Sequence, residues 1–508
     1  MGFARIHSAQ ATPTTVHDIR VEADVHRGLY SFSIVGIPDQ AVEESKDRVT
    51  SALRNSGFTS PKTEHQKVTI SLSPAQLKKE GAHFDVPIAI AYLVASGQVK
   101  IKNIENILFV GELGLDGSIQ KTKGVFPTVL HAIKNNVQEI YIPIQNTYEV
   151  LNNKNIKIYG VQTLKELVDH LVGVKLLEPI VAKREEPPTT AISTDFSHVH
   201  GQDTAKRALL IAAAGNHNIA LFGPPGTGKT MLARAFHNIL PTLPEEHMLE
   251  VTSIYSASGA LENELIYTPP FRAPHHTTSH VALVGGGAIP RPGEVTLAHH
   301  GVLFLDEFPE FERRSIESLR QPLEDGVIHV ARARGHETYP ARFLLVAALN
   351  PCPCGFRGAI HKTCVCKETD LARYDRKISG PIADRIDLWV PVEHVEYEKL
   401  NTTLKDARIS NDYKKDVLRA RNFSTERNKV ISKITNNELT SNEIQKVGNF
   451  EKSALDVAIK SAEKLSLSPR GYFKLLKVAR TIADLEQSEC VLSNHILEAL
   501  QYRKQESC

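Results

Sequence analysis

One stretch constrains the chain more tightly than any other. Four apolar residues, Ile219-Ala-Leu-Phe222, run into Gly223-Pro-Pro-Gly-Thr-Gly-Lys-Thr230, and a helical pattern begins at Met231. Strand, glycine-rich loop and helix in that order make a phosphate-binding loop. The glycines let backbone N–H groups encircle phosphates, and the helix N-terminus adds positive potential. The Lys229 amine reaches the β- and γ-phosphates and the Thr230 hydroxyl suits magnesium. Gly223, Pro224, Pro225, Gly226, Thr227, Gly228, Lys229 and Thr230 are therefore candidate ligands of ATP, with Mg2+ as its counter-ion. An apolar strand of this kind needs cover on both faces, which predicts an α/β fold with a parallel sheet.

Two further apolar runs extend the pattern. Val302-Leu-Phe-Leu305 ends in Asp306 and Glu307, at the strand end where open α/β sheets bind ligands. Asp306 suits the magnesium shell, and Glu307 suits the base that polarises an attacking water. An acidic strand end that only caps the next helix is the alternative. Phe343-Leu-Leu-Val-Ala-Ala348 leads to Asn350, whose amide can position water or the γ-phosphate; on its own it would read as a turn residue.

At about 150 residues per domain, 508 residues predict roughly three domains. The charge balance, 60 basic against 58 acidic residues, excludes a polybasic protein held to nucleic acid by overall charge, so any such contact must be local. The longest apolar run, Val86 to Ala95, is half the roughly 20 residues of a spanning helix, and no contact with membrane is expected. The N-terminus lacks an apolar signal core and has Ile6 where myristoylation needs Ser or Thr, which predicts a cytoplasmic protein. The expected domains are 1–174, mixing strand and helix patterns; a charged, proline-bearing linker at 175–194; an α/β core at 195–396; and a helical region at 397–508.

A strand-end Asn following these two motifs resembles the AAA+ ATPases, in which it is termed sensor 1. Ser379-Gly-Pro-Ile-Ala-Asp-Arg-Ile-Asp387 resembles the family's arginine-finger motif, which would make Arg385 a cation supplied to a neighbouring subunit's ATP. Ser468-Pro-Arg-Gly471 resembles sensor 2, which would put Arg470 on the phosphates from a helical lid. Phe271-Arg-Ala-Pro-His-His-Thr277, Leu283-Val-Gly-Gly-Gly287, Pro290-Arg-Pro-Gly-Glu294 and Leu297-Ala-His-His-Gly301 resemble the magnesium-chelatase-like AAA+ proteins, and Asn350-Pro-Cys-Pro-Cys-Gly355 narrows the resemblance to the ComM (YifB) branch. That resemblance covers nearly the whole chain. It implies a homo-hexameric ATPase and a DNA helicase promoting branch migration during recombination of transforming DNA. A protein-remodelling or chelatase-type ATPase is the alternative.

In the first domain, Leu72-Ser-Pro-Ala-Gln-Leu-Lys-Lys-Glu-Gly-Ala-His-Phe-Asp-Val-Pro87 and Val110-Gly-Glu-Leu-Gly-Leu-Asp-Gly-Ser-Ile-Gln120 resemble the proteolytic domain of Lon, a Ser-Lys peptidase. His83 and Thr128 fall where that resemblance places the nucleophile and the lysine, so the domain is expected to be inert as a peptidase.

Four of six cysteines, Cys352, Cys354, Cys364 and Cys366, form two C-x-C pairs with His361 between them. Two close thiol pairs suit tetrahedral zinc, with free thiols or a redox pair as alternatives. Basic groups gather at Arg272, His275 and His276, and again at Arg332 and Arg334, where Gly335 suggests a hairpin between Val327–Val330 and Phe343–Val346. In related AAA+ proteins such loops line a central pore, which makes Arg272, Arg332 and Arg334 candidate contacts to a DNA backbone. Solvated loop charge or pairing between subunits is the alternative.

Overall fold

The computed structural model describes residues 2–150, 155–181, 194–262, 264–287, 291–332, 335–358, 362–395 and 408–504. The chain divides into two compact units, Met1–Pro188 with Met248–Ile266, and Thr189–His247 with Tyr267–Cys508.

The first unit is built on a seven-stranded mixed sheet in the order Ser31–Val35, Gln66–Ser73, Val16–Arg27, Gly2–Ala11, Ile107–Phe109, Glu139–Pro143, Lys157–Val161. Alternation along Val16–Arg27 buries Ile19, Val21, Ala23 and Val25. The long apolar run forms the helix Asp85–Ala95, buried on almost every residue, as expected of a helix that is apolar all round. Its Asp85 carboxylate accepts a bidentate pair from Arg48 at 2.6 and 3.0 Å and the Leu113 amide at 3.1 Å. Burial pushes the pKa of His83 down to about 4, and the Thr128 hydroxyl is committed to the Gly124 carbonyl at 2.7 Å.

The second unit holds a five-stranded, fully parallel sheet in the order Phe271–Arg272, Val302–Leu305, Leu344–Leu349, Ile219–Phe222, Leu388–Pro391. Alternate residues of its strands enter two separate cores. Ile219, Leu221, Phe304, Val346 and Val390 pack with the helices Asp203–Gly215, Lys229–Ile239 and Pro469–Leu485. Ala220, Leu303, Leu305, Leu345 and Trp389 pack with Phe308, Ile316 and Leu319. Both faces of the sheet are covered, which is what its uninterrupted apolar strands require. The C-terminal part is helical at Ser410–Arg427, Ser441–Val447, Lys452–Lys464, Pro469–Leu485 and Ser493–Gln501. The last long helix starts where Ser468 caps the Gly471 amide, with Pro469 in the first turn.

The expected hairpin forms, but its second strand differs from the sequence expectation. Val327–Arg332 pairs antiparallel with Gly335–Pro340, while the apolar run beginning near Phe343 belongs to the central sheet. The polar His336-Glu-Thr segment carries no apolar signal for a strand, which is why the pairing is not legible locally. Among the described residues no helix is long and apolar enough to cross a membrane.

Candidate nucleotide site

Parallel register brings the three sequence motifs to one edge of the sheet. Phe222 pairs with Leu349 and Leu305 with Ala347, so the chain leaves three neighbouring strands at Gly223, Asp306 and Asn350 on the same side. A Cβ on Gly223 would sit 2.1 Å from the Val392 carbonyl oxygen, so the tight exit admits only glycine. Gly226 and Gly228 take φ of +80° and +88°, and the space a Cβ would occupy at each is open. That leaves the loop backbone accessible to an anion.

Lys229 is buried in the curl of this loop. Its Nζ donates to the carbonyls of Gly223 at 2.6 Å and Pro224 at 2.8 Å, and to Asn350 Oδ1 at 3.2 Å. Burial holds its pKa below the usual lysine value, against the opposing pull of Asp306 and Glu307. Thr230 Oγ1 donates to Asp306 Oδ2 at 2.7 Å, which joins the two candidate magnesium ligands. The Glu307 amide donates to Asp306 Oδ1 at 2.9 Å, and Glu307 itself is in the left-handed region with φ 51°.

Two residues outside the sequence-derived set meet members of it. His276 Nδ1 lies 3.1 Å from Glu307 Oε2. Its loop follows Phe271–Arg272, which pairs in parallel with Val302–Leu305, so the strand order aims both loops at the same edge. Glu324 is the second, in a cluster at the other end of the strands: the Arg385 carbonyl accepts at 3.0 Å from the side chain of Asn218, which precedes Ile219–Phe222. Arg385 is 7% exposed, and it donates to the Arg320 carbonyl at 3.0 Å, to the Pro381 carbonyl at 2.6 Å and to Glu324. Arg470 donates to the other oxygen of the same carboxylate at 3.1 Å. Burial would raise the Glu324 pKa, but Arg470 and Arg385 outweigh it and hold the carboxyl below its usual range. No spacing in the sequence links 324, 385 and 470.

The remaining candidates divide. Arg272 forms a bidentate pair with Glu294 at 2.6 and 2.8 Å, which neutralises its charge within the chain. Arg332 ends one hairpin strand, and Arg334 and His361 lie outside the described residues. The four cysteines converge: Sγ atoms of Cys352 and Cys354 are 3.4 Å apart, Cys352 and Cys364 3.7 Å, Cys354 and Cys364 3.6 Å, and Cys366 joins the cluster.

Comparison with known proteins agrees with this architecture. Residues 195–400 match the family model described as magnesium chelatase, subunit ChlI; residues 21–146 match subunit ChlI of Mg-chelatase; and residues 407–503 match the ChlI C-terminal region. The fold and matched models define an AAA+ protein of the magnesium-chelatase-like kind. Over 99% of its length the chain is 41% identical to the uncharacterized protein YifB of Escherichia coli, covering 97% of that protein, and 40% identical to competence protein ComM of Haemophilus influenzae, covering 98% of it. A more distant match, 22% over 341 residues, covers 61% of this chain and 36% of the DNA replication licensing factor Mcm6 of Drosophila melanogaster. The chain belongs to the ComM/YifB family of magnesium-chelatase-like AAA+ proteins.

Proposed function

We propose that this chain is an ATP-hydrolysing DNA motor, acting as a homo-hexamer and promoting branch migration during recombination of transforming DNA. The observation that carries the ATPase part is the convergence of Lys229, Thr230, Asp306, Glu307 and Asn350 at one sheet edge. In this reading Lys229 turns from the Gly223 and Pro224 carbonyls to the β- and γ-phosphates. Thr230 and Asp306 hold Mg2+, which when bound neutralises charge developing on the phosphate oxygens. Glu307 leaves His276 and accepts the proton of the attacking water, while the Asn350 amide orients that water and the γ-phosphate. Arg385 is offered to the ATP of a neighbouring subunit, and Arg470, which shares its Glu324 partner, reaches phosphate from the helical lid; each is a permanent charge with a planar fork of donors. Residues 195–396, apart from the Met248–Ile266 segment that belongs to the first unit, serve as the motor core and 397–508 as its lid. Residues 1–174 are a Lon-like domain without peptidase chemistry.

DNA enters the reading through relatives, one named a competence protein and another a DNA replication licensing factor, and through the basic hairpin. Arg332, at the end of one strand of that hairpin, and Arg334 are the proposed backbone contacts. Arg272, tied to Glu294, positions its loop. The test is the ATPase rate of the purified protein without DNA and with single-stranded, duplex, forked and branched DNA. Stimulation by branched or forked DNA supports the motor. Turnover unchanged by every DNA but raised by a protein substrate would move the function to protein remodelling.

A further inference from the structure

We propose that Cys352, Cys354, Cys364 and Cys366 bind one zinc ion as a tetrathiolate knuckle, and that this metal holds the loop after Asn350 against the phosphate-binding loop. Zn–S bonds of about 2.3 Å in a tetrahedron place sulfurs about 3.8 Å apart. Three of the separations, 3.4, 3.6 and 3.7 Å, fall close to that, and all four sulfurs lie within 4.8 Å of one another. A disulfide needs about 2.05 Å; these three separations are far from it, and all four cysteines are free. Four sulfurs with no oxygen or nitrogen ligand select zinc or iron, and a closed four-ligand shell at a loop suits structural zinc.

The surrounding backbone is shaped for thiolates. The Arg357 amide donates to Cys352 Sγ at 3.3 Å, and the amides of Phe356 and Val365 face Cys354. The Gly355 amide closes a turn onto the Cys352 carbonyl at 2.9 Å, with φ +83° at Gly355. Partial charge from such N–H groups stabilises sulfur that has lost its proton. The same turn reaches the nucleotide site: a Cβ on Gly355 would meet Pro225 Cδ at 2.8 Å. Two residues before Cys352, the Asn350 carbonyl accepts from the buried Tyr374 hydroxyl at 3.1 Å. The knuckle thus lies between Asn350 and Pro225, and a short loop with few apolar side chains has little else to hold it there.

The experiment uses the full-length protein purified without chelator. Elemental analysis should find about one zinc per chain, and chelation under denaturing conditions should release it as the thiols become titratable. Cobalt substituted into the same protein should show the visible bands of a tetrahedral tetrathiolate, a readout independent of any variant's folding. Cys364→Ser and Cys366→Ser should lose the metal. Nucleotide affinity, measured by equilibrium binding, should fall several-fold when zinc is stripped. A wild-type protein with all six thiols free and no metal, with iron in place of zinc, or with a Cys352–Cys354 disulfide overturns the site. Unchanged nucleotide affinity after stripping overturns its link to the phosphate-binding loop. A zinc-loaded protein that binds no nucleotide would count against the ATPase reading and leave the metal site standing.

Discussion

Replacing Lys474 by Met tests what fastens the C-terminal helix carrying Arg470 to the five-stranded parallel sheet. Lys474 lies one turn after Arg470 on Pro469–Leu485, and its Nζ is 2.5 Å from Asp387 Oδ1, with side-chain exposures of 11% and 1%. Asp387 precedes the edge strand Leu388–Pro391; its other oxygen accepts the Asn218 amide at 2.8 Å, and His217 lies 3.9 Å away. Burial pushes the Lys474 pKa down and Asp387 opposes it; at Asp387 burial is outweighed by Lys474 and His217, and the carboxyl falls below its usual range. Lys474→Met keeps the length of the stem and strands a carboxylate in the interior, which costs about 3–5 kcal/mol. At about 2–4 °C per kcal/mol, the melting temperature of this unit should drop by roughly 6–20 °C. The chain's single tryptophan, Trp389, is two residues from Asp387 and 6% exposed, so its fluorescence follows this unit alone. Adding Asp387→Asn should recover much of the loss, because the uncompensated charge is gone. A Lys474→Met destabilisation below about 1 kcal/mol, or a double variant no better than the single, would refute the argument.

Glu307→Gln should bind ATP and not turn it over, since the amide leaves Thr230 and Asp306 in place but cannot take a proton; Lys229→Ala should lose binding itself, and near-normal turnover by the first variant would remove Glu307 from its role. Replacing Arg332 and Arg334 together by Ala should weaken DNA binding about equally across sequences and lower the slope of log affinity against log salt by about 1.5, with basal ATPase retained; an unchanged slope with defective assembly would assign them to a subunit interface. The pKa of His217 is lowered by burial to about 4, so the unfolded chain binds the extra proton between pH 6.5 and 4, and stability present above pH 6.5 should decline by about 3 kcal/mol as pH falls through that window. Denaturant midpoints read at Trp389 check this, and His217→Gln should flatten the decline.

Features carried by contiguous residues were legible without a structure. Strand, loop and helix around Lys229 are adjacent in the chain, and the chemistry of Asp306, Glu307 and Asn350 follows from polar groups ending apolar runs. The paired spacing of the cysteines likewise announced a cluster, which the fold closes to within 4.8 Å. Tertiary structure alone decided the order of the five strands, and with it the meeting of His276 with Glu307. It decided that Arg385 and Arg470 share Glu324, that Arg272 is neutralised by Glu294, that Val327–Arg332 pairs with a polar strand, and that Met248–Ile266 belongs to the first unit. Local pattern reports which face of an element is apolar and which backbone geometry a turn permits. Which charge meets which depends on contacts between residues tens to hundreds of positions apart, set by the packing of whole elements, and no short window of sequence contains that information.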